Sequence, residues 1–357
     1  MREPVRISDR AYVVLALAVT PDGAAHAVGV IWRESEGLFY LTNAGGEWSE
    51  EQLPTPPLRG ADVRPAIDVD SDGTVHVVYS WCQLDCPDDP LLNGAYHLTR
   101  QSGAWSEAER LPDGVSAGSL RVDNGTLHLA YSTSAGDTIP AYYSTNAGGS
   151  WSTTELAADG DIIGLELDGS GTAYVVFEEF SQARTASQLY LATATPGAAP
   201  SRQPLTGLPL PDPTYALLFD MDGAGRLHFA FYGDEEGSQY VLGSPGSWSE
   251  PVAMFEPVPV DYGDDDIGEL RPFVGGIAVD RDGSVHAVSQ DNGGGGAYVY
   301  ATNRSGTFQS EQLLPLTTWD DAPPPPVAID LDAAGRPHMI FVGFGEDGGD
   351  LWYTTAD

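Results

Sequence analysis

Lysine is missing from this sequence altogether, and its 16 basic residues, all arginine, face 52 acidic ones. The resulting net charge of −36 repels a phosphate backbone or an anionic bilayer at long range, so no nucleic-acid partner and no membrane-surface role is expected. Cationic partners or Ca²⁺ suit such a chain better, although a heavily solvated acidic surface gives the same total. Cysteine is nearly absent, with only Cys82 and Cys86, which excludes a disulfide framework. The two fall in the stretch Trp81-Cys82-Gln83-Leu84-Asp85-Cys86-Pro87, read as one loop. A local disulfide there would place the chain in an oxidising compartment, secreted or at the cell surface. Free thiols, or a metal site completed by His97, are the other readings, and the fourth ligand a structural zinc needs is not evident. No apolar run is long enough to span a bilayer, and no helix signal of useful length occurs. Arg2, Arg6 and Arg10 followed by Ala11 to Val19 look like the start of a signal peptide. Leu15 to Val30 falls in register with an internal repeat, however, so any export signal is expected to be absent from this chain.

What the sequence has in abundance is turn formers, 42 glycines and 27 prolines, as many short strands require. They recur with a period. A Gly-x-x-His step appears at Gly23/His26, Gly73/His76, Gly125/His128, Gly225/His228, Gly283/His286 and Gly335/His338, and Gly171 begins the same step with Tyr174 in the histidine slot. An Asp shortly before the glycine marks most copies (Asp70, Asp123, Asp168, Asp222, Asp280 and Asp332), with Thr20 in the first. A tyrosine follows downstream at Tyr40, Tyr96, Tyr143, Tyr190, Tyr240, Tyr300 and Tyr353. An aromatic at Trp48, Trp105, Trp151, Trp248 or Phe308 closes the unit, and the fourth unit lacks it.

Each copy reads as four antiparallel strands, A to D. Strand A ends at the Asp, a tight turn leads to the histidine strand B, strand C carries the tyrosine, and strand D the closing aromatic. The expected fold is therefore all-β: a seven-bladed β-propeller of four-stranded blades in a single domain, 1–357. The blades fall at about 11–54, 62–112, 116–157, 160–206, 214–254, 271–315 and 324–357. The last unit stops after strand C. Glu3-Pro4-Val5-Arg6-Ile7 resembles the strand D stretch Glu250-Pro251-Val252-Ala253-Met254, so residues 3–8 are expected to complete the final blade and leave no long edge open.

The turns from C to D carry a further pattern. Ser144-Thr145-Asn146-Ala147-Gly148-Gly149-Ser150-Trp151 resembles the Asp-box, or BNR, repeat of sialidase-like propellers, Ser/Thr-x-Asp-x-Gly-x-x-Trp, with Asn in place of Asp. Thr42 to Trp48 and Thr302 to Phe308 are shorter copies. The resemblance implies the propeller fold, because in that family the box is a structural hairpin away from the catalytic centre. Sialidase activity would also need an arginine cluster, a Tyr–Glu nucleophile pair and an acid/base. The family's Arg-Ile-Pro signature finds only Val5-Arg6-Ile7-Ser8, and no spaced arginine trio matches, so no catalytic residues are assigned.

Other candidates are weighed on their chemistry. One histidine per blade cannot converge on one metal ion. Asp68 and His76, opposite each other in a hairpin, are expected to share a structural hydrogen bond, as are Asp220/His228 and Asp330/His338. Asp68-x-Asp70-x-Asp72-Gly73 matches the first half of an EF-hand loop, but Tyr79 stands at the twelfth position, and the segment reads as a hairpin. Asp261, Asp264, Asp265 and Asp266 offer an oxygen cluster for Ca²⁺.

The long connections B-to-C and D-to-A emerge on one face: Cys82 to Asn93, Glu178 to Ser187, Glu256 to Arg271 and Pro315 to Pro326. Trp32, Trp81, Phe180, Tyr262, Trp319 and Phe344 gather there outside the repeat slots. Aromatics beside carboxylates suit sugar stacking or a protein hot spot. The expected function is a non-catalytic, lectin-like module that binds a glycan or protein ligand through this face, acting as a monomer. A glycoside hydrolase or lyase with its site over the central channel, and a structural cell-surface component, are the alternatives.

Overall fold

The computed structural model describes residues 1–10, 12–31, 37–55, 61–83, 94–112, 114–133, 137–195, 197–211, 214, 216–233, 236–261, 267–290, 298–314, 326–345 and 348–356. The chain is an all-β, seven-bladed propeller; among the described residues every blade is one antiparallel sheet. It divides into two compact units, Val14–Thr206 and Met1–Val13 with Gly207–Asp357.

The first unit holds blades 1 to 4 apart from Tyr12 and Val13, the first two residues of blade 1 strand A. Strands A to D are Tyr12–Val19, Ala25–Ile31, Leu38–Thr42 and Ser49–Gln52 in blade 1. In blade 2 they are Ala61–Val69, Val75–Gln83, Gly94–Gln101 and a divided D, Ala104–Trp105 and Glu109–Arg110. Blade 3 has Ser119–Asp123, Thr126–Ser132, Ala141–Thr145 and Ser152–Ala157. Blade 4 has Gly160–Leu167, Ala173–Phe180, Ser187–Ala194 and Ser201–Pro204.

The second unit holds blades 5 to 7. Blade 5 consists of Ala216–Met221, Leu227–Gly233, Gly237–Ser244 and a divided D, Ser247–Trp248 and Val252–Ala253. Blade 6 consists of Phe273–Val279, Val285–Gln290, Tyr298–Thr302 and Gln309–Leu314. Blade 7 has Val327–Leu331, Pro337–Gly345 and Gly348–Thr355. Its fourth strand is the expected N-terminal latch, Val5–Ser8, paired antiparallel with Gly348–Thr355 at Val5–Tyr353 and Arg6–Trp352.

Strand composition follows position in the blade. Strands B are near-continuous apolar runs buried on both faces, as in Ala25–Ile31 and Leu227–Gly233. Strands D are polar and mostly exposed, as in Ser201–Pro204. The cores form between successive blades: Val28, Leu38 and Tyr40 of blade 1 pack with Val63, Ile67, Val77 and Tyr79 of blade 2. In the other unit Tyr240 and Met254 pack with Val274, Val285 and Ala287. Burying one such side chain contributes about 1.5–3 kcal/mol.

The A-to-B turn is built by its Asp. Asp222 Oδ1 accepts from the Ala224 and Arg226 amides, each at 2.9 Å, and the Gly225 amide donates to the Asp222 carbonyl at 3.0 Å. Gly225 has φ +75°, which accounts for the glycine. In blade 1, Thr20 Oγ1 takes the carboxylate's place and accepts from the Ala24 amide. At the C-to-D turns the Asn of the degenerate Asp-box does equivalent work. Asn43, Asn146 and Asn303 each accept, through Oδ1, an amide at the start of strand B (Ala25, Leu127 and Val285) at 2.7 Å. An amide oxygen serves as acceptor there without adding a charge.

The expected hydrogen bond between Asp and His register partners is not formed; in blades 5 and 7 the histidine Nε2 approaches the turn aspartate instead, His228 to Asp222 at 3.2 Å and His338 to Asp332 at 3.7 Å. Asp68 and His76 are register partners, but Asp68 Oδ2 accepts the Val122 amide of blade 3 at 2.6 Å and Oδ1 its neighbour Val69 at 2.9 Å. Asp220 does the same with Val279 of blade 6 and with Met221, both at 2.6 Å. The aspartates therefore staple blades through backbone amides. The histidines bond instead to the strand C tyrosine two residues before their register partner: His26–Tyr40, His128–Tyr143, His228–Tyr240, His286–Tyr300 and His338–Tyr353, at 2.6–2.8 Å.

Two tyrosines of the repeat do not fill this slot. In blade 2 it belongs to His97, 3.1 Å from His76, while Tyr96 stacks on Tyr79. In blade 4 Tyr174 replaces the histidine, and Tyr190 stacks on Phe177. The closing aromatics Trp105 and Phe308 pack edge-on against Tyr40 and Tyr240 of the preceding blade. Blade 4, which has no such aromatic, sets the Arg202 guanidinium over Tyr190 at 4.1 Å.

Candidate functional site

Of the aromatics expected on the long-connection face, Phe180 is the one whose side chain lies within the described residues, and a cleft of ≈ 490 Å³ opens beside it. Three connections build the cleft. They are the B-to-C connection of blade 3 (Asp137 and Thr138), the link from blade 3 to blade 4 (Ala158 and Asp159), and the B-to-C hairpin of blade 4 (Gln182 to Arg184).

The scaffold beneath is tightly fixed. The Gly160 amide donates to the Ile139 carbonyl at 2.7 Å, and the Phe180 amide donates to the Asp159 carbonyl at 2.9 Å. A Cβ on Gly160 would come within 2.2 Å of the Glu178 carbonyl oxygen, so strands A and B can approach this closely only at a glycine.

The hairpin after Phe180 is held by Ser181. Its amide donates to the Ala186 carbonyl at 2.8 Å, its carbonyl accepts the Arg184 amide at 2.7 Å, and its Oγ accepts the amides of Thr185 and Ala186 at 3.2 Å. Arg184 therefore sits at φ +50°, a conformation L-residues with side chains rarely adopt. This turns its guanidinium back over the Phe180 ring, 5.5 Å from the centroid, and onto Asp159. Arg184 Nε donates to Asp159 Oδ2 at 2.9 Å and Nη2 donates to Oδ1, a two-pronged pair. Asp159 Oδ1 also accepts the Ile139 amide at 2.9 Å. The Arg184 hydrogen bonds, then that amide, hold the Asp159 carboxyl below the usual carboxylate range, and the same pairing raises Arg184.

Glu179 completes the wall and is itself engaged by Arg202. Arg202 donates to both Glu179 oxygens at 3.3 and 2.5 Å and to the Leu156 carbonyl at 2.6 Å, and it stacks on Tyr190 and Phe177. The result is an aromatic plate capped by a fixed guanidinium, rimmed by carboxylates and by the exposed Thr138 and Gln182. Such a surface can stack a sugar ring and exchange hydrogen bonds with hydroxyls.

A second cleft of ≈ 280 Å³, in the other unit, is lined by Pro209, Leu210, Pro211 and Phe231 with Glu236 and Gln239. It lies at the connections of blade 5, and no arginine is among its described lining residues.

The remaining expected residues are placed less fully. Trp81 and Phe344 belong to strands B of blades 2 and 7, although their side chains lie outside the described residues. Trp32, Tyr262 and Trp319 lie outside them entirely, as do Asp264, Asp265, Asp266 and Cys86. Asp261 ends the strand Val258–Asp261, which pairs with Ile267–Leu270, so part of the expected irregular stretch Glu256 to Arg271 is a β-hairpin. Cys82 is a strand residue, opposite Asp62, rather than a loop residue. Glu178, Glu179 and Phe180 likewise extend strand B and shorten that loop. Among the described residues no three His, Cys, Asp or Glu side chains are grouped to hold a metal ion, and none of their helices is long and apolar enough to cross a membrane.

Sequence reasoning picked Phe180 but missed Arg184, Asp159, Asp137 and Glu179. A signal was available: in a chain whose only strong cations are 16 arginines, one within an otherwise small and polar hairpin is conspicuous.

No protein-family model matches the chain, and no curated protein sequence matches it. Solved structures do. An ulvan lyase of a polysaccharide lyase family superposes with TM-score 0.59 at 12% identity, covering 99% of this chain and 98% of that one. The lectin of Aleuria aurantia, solved with Fucα1-6GlcNAc, gives TM-score 0.52 at 11% identity over 86% of this chain and 97% of that one. A Hadza microbial sialidase gives 0.50 at 10% identity, over 100% of this chain and 68% of that one. At these identities the likeness defines a class, the β-propellers that include lectins, sialidases and lyases, and shows the fold alone.

Proposed function

We propose that this chain is a non-catalytic recognition propeller that binds glycans through the face carrying its long connections, with the Phe180 cleft as a binding site. The observation that carries this reading is the Phe180–Arg184–Asp159 arrangement, an aromatic plate and a guanidinium locked in place by a strained hairpin. Strained backbone concentrates at functional sites, and binding residues concentrate on connections held by a rigid scaffold. The carbohydrate context of the structural neighbours, a fucose-bound lectin among them, supports the same ligand class. Trp32, Trp81, Tyr262, Trp319 and Phe344 belong to the proposed face, Asp261 with Asp264 to Asp266 is a proposed Ca²⁺ site, and Cys82–Cys86 a proposed disulfide. Membership of the Asp-box superfamily and a secreted or cell-surface location are part of the proposal.

An enzymatic role at this cleft is disfavoured by its electrostatics. Asp159 is held ionised by Arg184 and is poorly suited to donate a proton. The test is a glycan array probed with the wild-type chain and with Phe180→Ala, Trp81→Ala and Trp319→Ala. Phe180→Ala should weaken the strongest signals by at least about tenfold, as loss of a central aromatic does. Signals unchanged in that variant would remove the cleft from the binding face.

A further inference from the structure

Resting on the reading of the Phe180 cleft as a glycan site, we propose that it selects uncharged glycans and rejects those carrying carboxylate or sulfate groups. Three observations carry this.

Arg184 is the one cationic side chain among the described residues lining the cleft, and it is already committed. Asp159 takes the Nε hydrogen and one from Nη2, so the side-on fork is filled, the charge is already compensated, and only the end-on Nη1/Nη2 edge is left to an anion. An incoming anion would have to share the guanidinium with the Asp159 carboxylate already paired to it, whose negative charge opposes a second one at that distance. Arg202, the next cation, is spent in the same way. Both Glu179 oxygens and the Leu156 carbonyl receive its hydrogen bonds, and its planar face is covered by Tyr190.

Negative charge dominates the rest of the wall. Asp137, Asp159 and Glu179 line the cleft. Asp137 is exposed at its mouth, close enough to Arg184 to raise that group further. Beyond the cleft, the chain carries a net charge of −36 with no lysine, so the long-range field repels anionic ligands as they approach.

The neutral polar groups of the lining suit hydroxyls. Thr138 and Gln182 can donate and accept, Asp137 can accept, and Phe180, with Arg184 over its ring, supplies an apolar wall against which a pyranose ring can pack. The selectivity would therefore arise from what the cleft withholds, an unpaired cation, as much as from what it supplies.

The test uses the full-length chain on an array of matched glycan pairs. Each pair has one uncharged member and one differing only by a uronic acid, sialic acid or sulfate. Wild type, Phe180→Ala and Asp137→Arg are compared at low and high salt. Uncharged members should be preferred at least about tenfold at low salt, since like charges oppose binding. The preference should shrink as salt is raised, and Asp137→Arg should narrow it by restoring affinity for the charged member. Equal or tighter binding of the charged member by wild type, lost in Phe180→Ala, would overturn this selectivity while leaving the cleft as the site. Binding that Phe180→Ala leaves unchanged, or no binding to either member, would overturn both.

Discussion

His286 and Tyr300 share a buried hydrogen bond of 2.6 Å between Nδ1 and the phenol oxygen, and their rings stack at 6.0 Å. The pair is diagonal across strands B and C of blade 6, since His286 is in register with Thr302. Replacing Tyr300 by Phe leaves a buried imidazole nitrogen without its partner, which should cost about 1–3 kcal/mol. A urea titration should show a lower midpoint with an unchanged slope. Exchanging both residues for the combination found at these positions in blade 4, His286→Tyr with Tyr300→Leu, should cost less than the sum of the two single changes. Additive losses would mean the two positions are not coupled.

Buried histidines set the acid limit of the fold. Burial, the largest cause in each case, holds His26, His97 and His286 to about 4. A base whose pKa is depressed by folding contributes stability that is present above its unfolded value, near 6.5, and lost as the pH falls through the folded value. Asp68 works in the opposite sense. Burial raises it to about 6, so its contribution is complete at acid pH and lost as the pH rises from about 4 through 6. Thermal melts should therefore be nearly flat from pH 8 to 6.5 and then decline towards pH 4, because the histidines outnumber the aspartate. Asp68→Asn should make that decline steeper. A melting temperature that rises on acidification would contradict this assignment.

Gly160→Ala tests the close strand approach under the cleft. The added methyl would meet the Glu178 carbonyl oxygen at 2.2 Å, and relieving that clash should cost about 1–3 kcal/mol. The shift moves Asp159 and Phe180 as well, because the Phe180 amide is bonded to the Asp159 carbonyl. Stability, read by thermal melting, and any glycan affinity should therefore fall together.

Removing residues 1–8 should expose an edge in blade 7. Strand Gly348–Thr355 would lose its partner Val5–Ser8, together with the hydrogen bond from Thr354 Oγ1 to the Arg2 carbonyl. The Arg6–Asp350 pair is surface-exposed at 3.0 Å and contributes little on its own. The truncated chain should melt at lower temperature and associate through the bared strand, which size-exclusion chromatography would show. A monomeric chain of unchanged melting temperature would contradict the latch.

Much of this architecture could be read from the residues because each turn repeats its own chemistry. The Asp-x-x-Gly step marks every A-to-B hairpin it occupies, and the likeness of Glu3–Ile7 to Glu250–Met254 located the latch. The failures have physical causes. Asp68 and His76 do face one another, but the acceptor positions of Asp68 are claimed by an amide 54 residues away, and pairing between blades leaves no periodic trace in one strand. Matching by residue type chose Tyr96 over His97, yet a one-residue offset puts a side chain on the other face of its sheet. The fourth blade lacks a closing aromatic, and its strand D arginine, Arg202, lies instead over Tyr190 of the same blade. At the site, Phe180 stood out as an aromatic outside the repeat. The Arg184–Asp159 pair did not, because it joins residues 25 apart and depends on a left-handed backbone turn at Arg184.

The most direct test is a crystal structure of the chain soaked with whichever uncharged glycan the array ranks highest. A sugar ring lying against Phe180, its hydroxyls within hydrogen-bond reach of Asp137, Thr138 or Gln182 and the Arg184–Asp159 pair intact, is the result predicted here. Sugar density confined to any other surface, with the Phe180 cleft empty at saturating ligand, would contradict it.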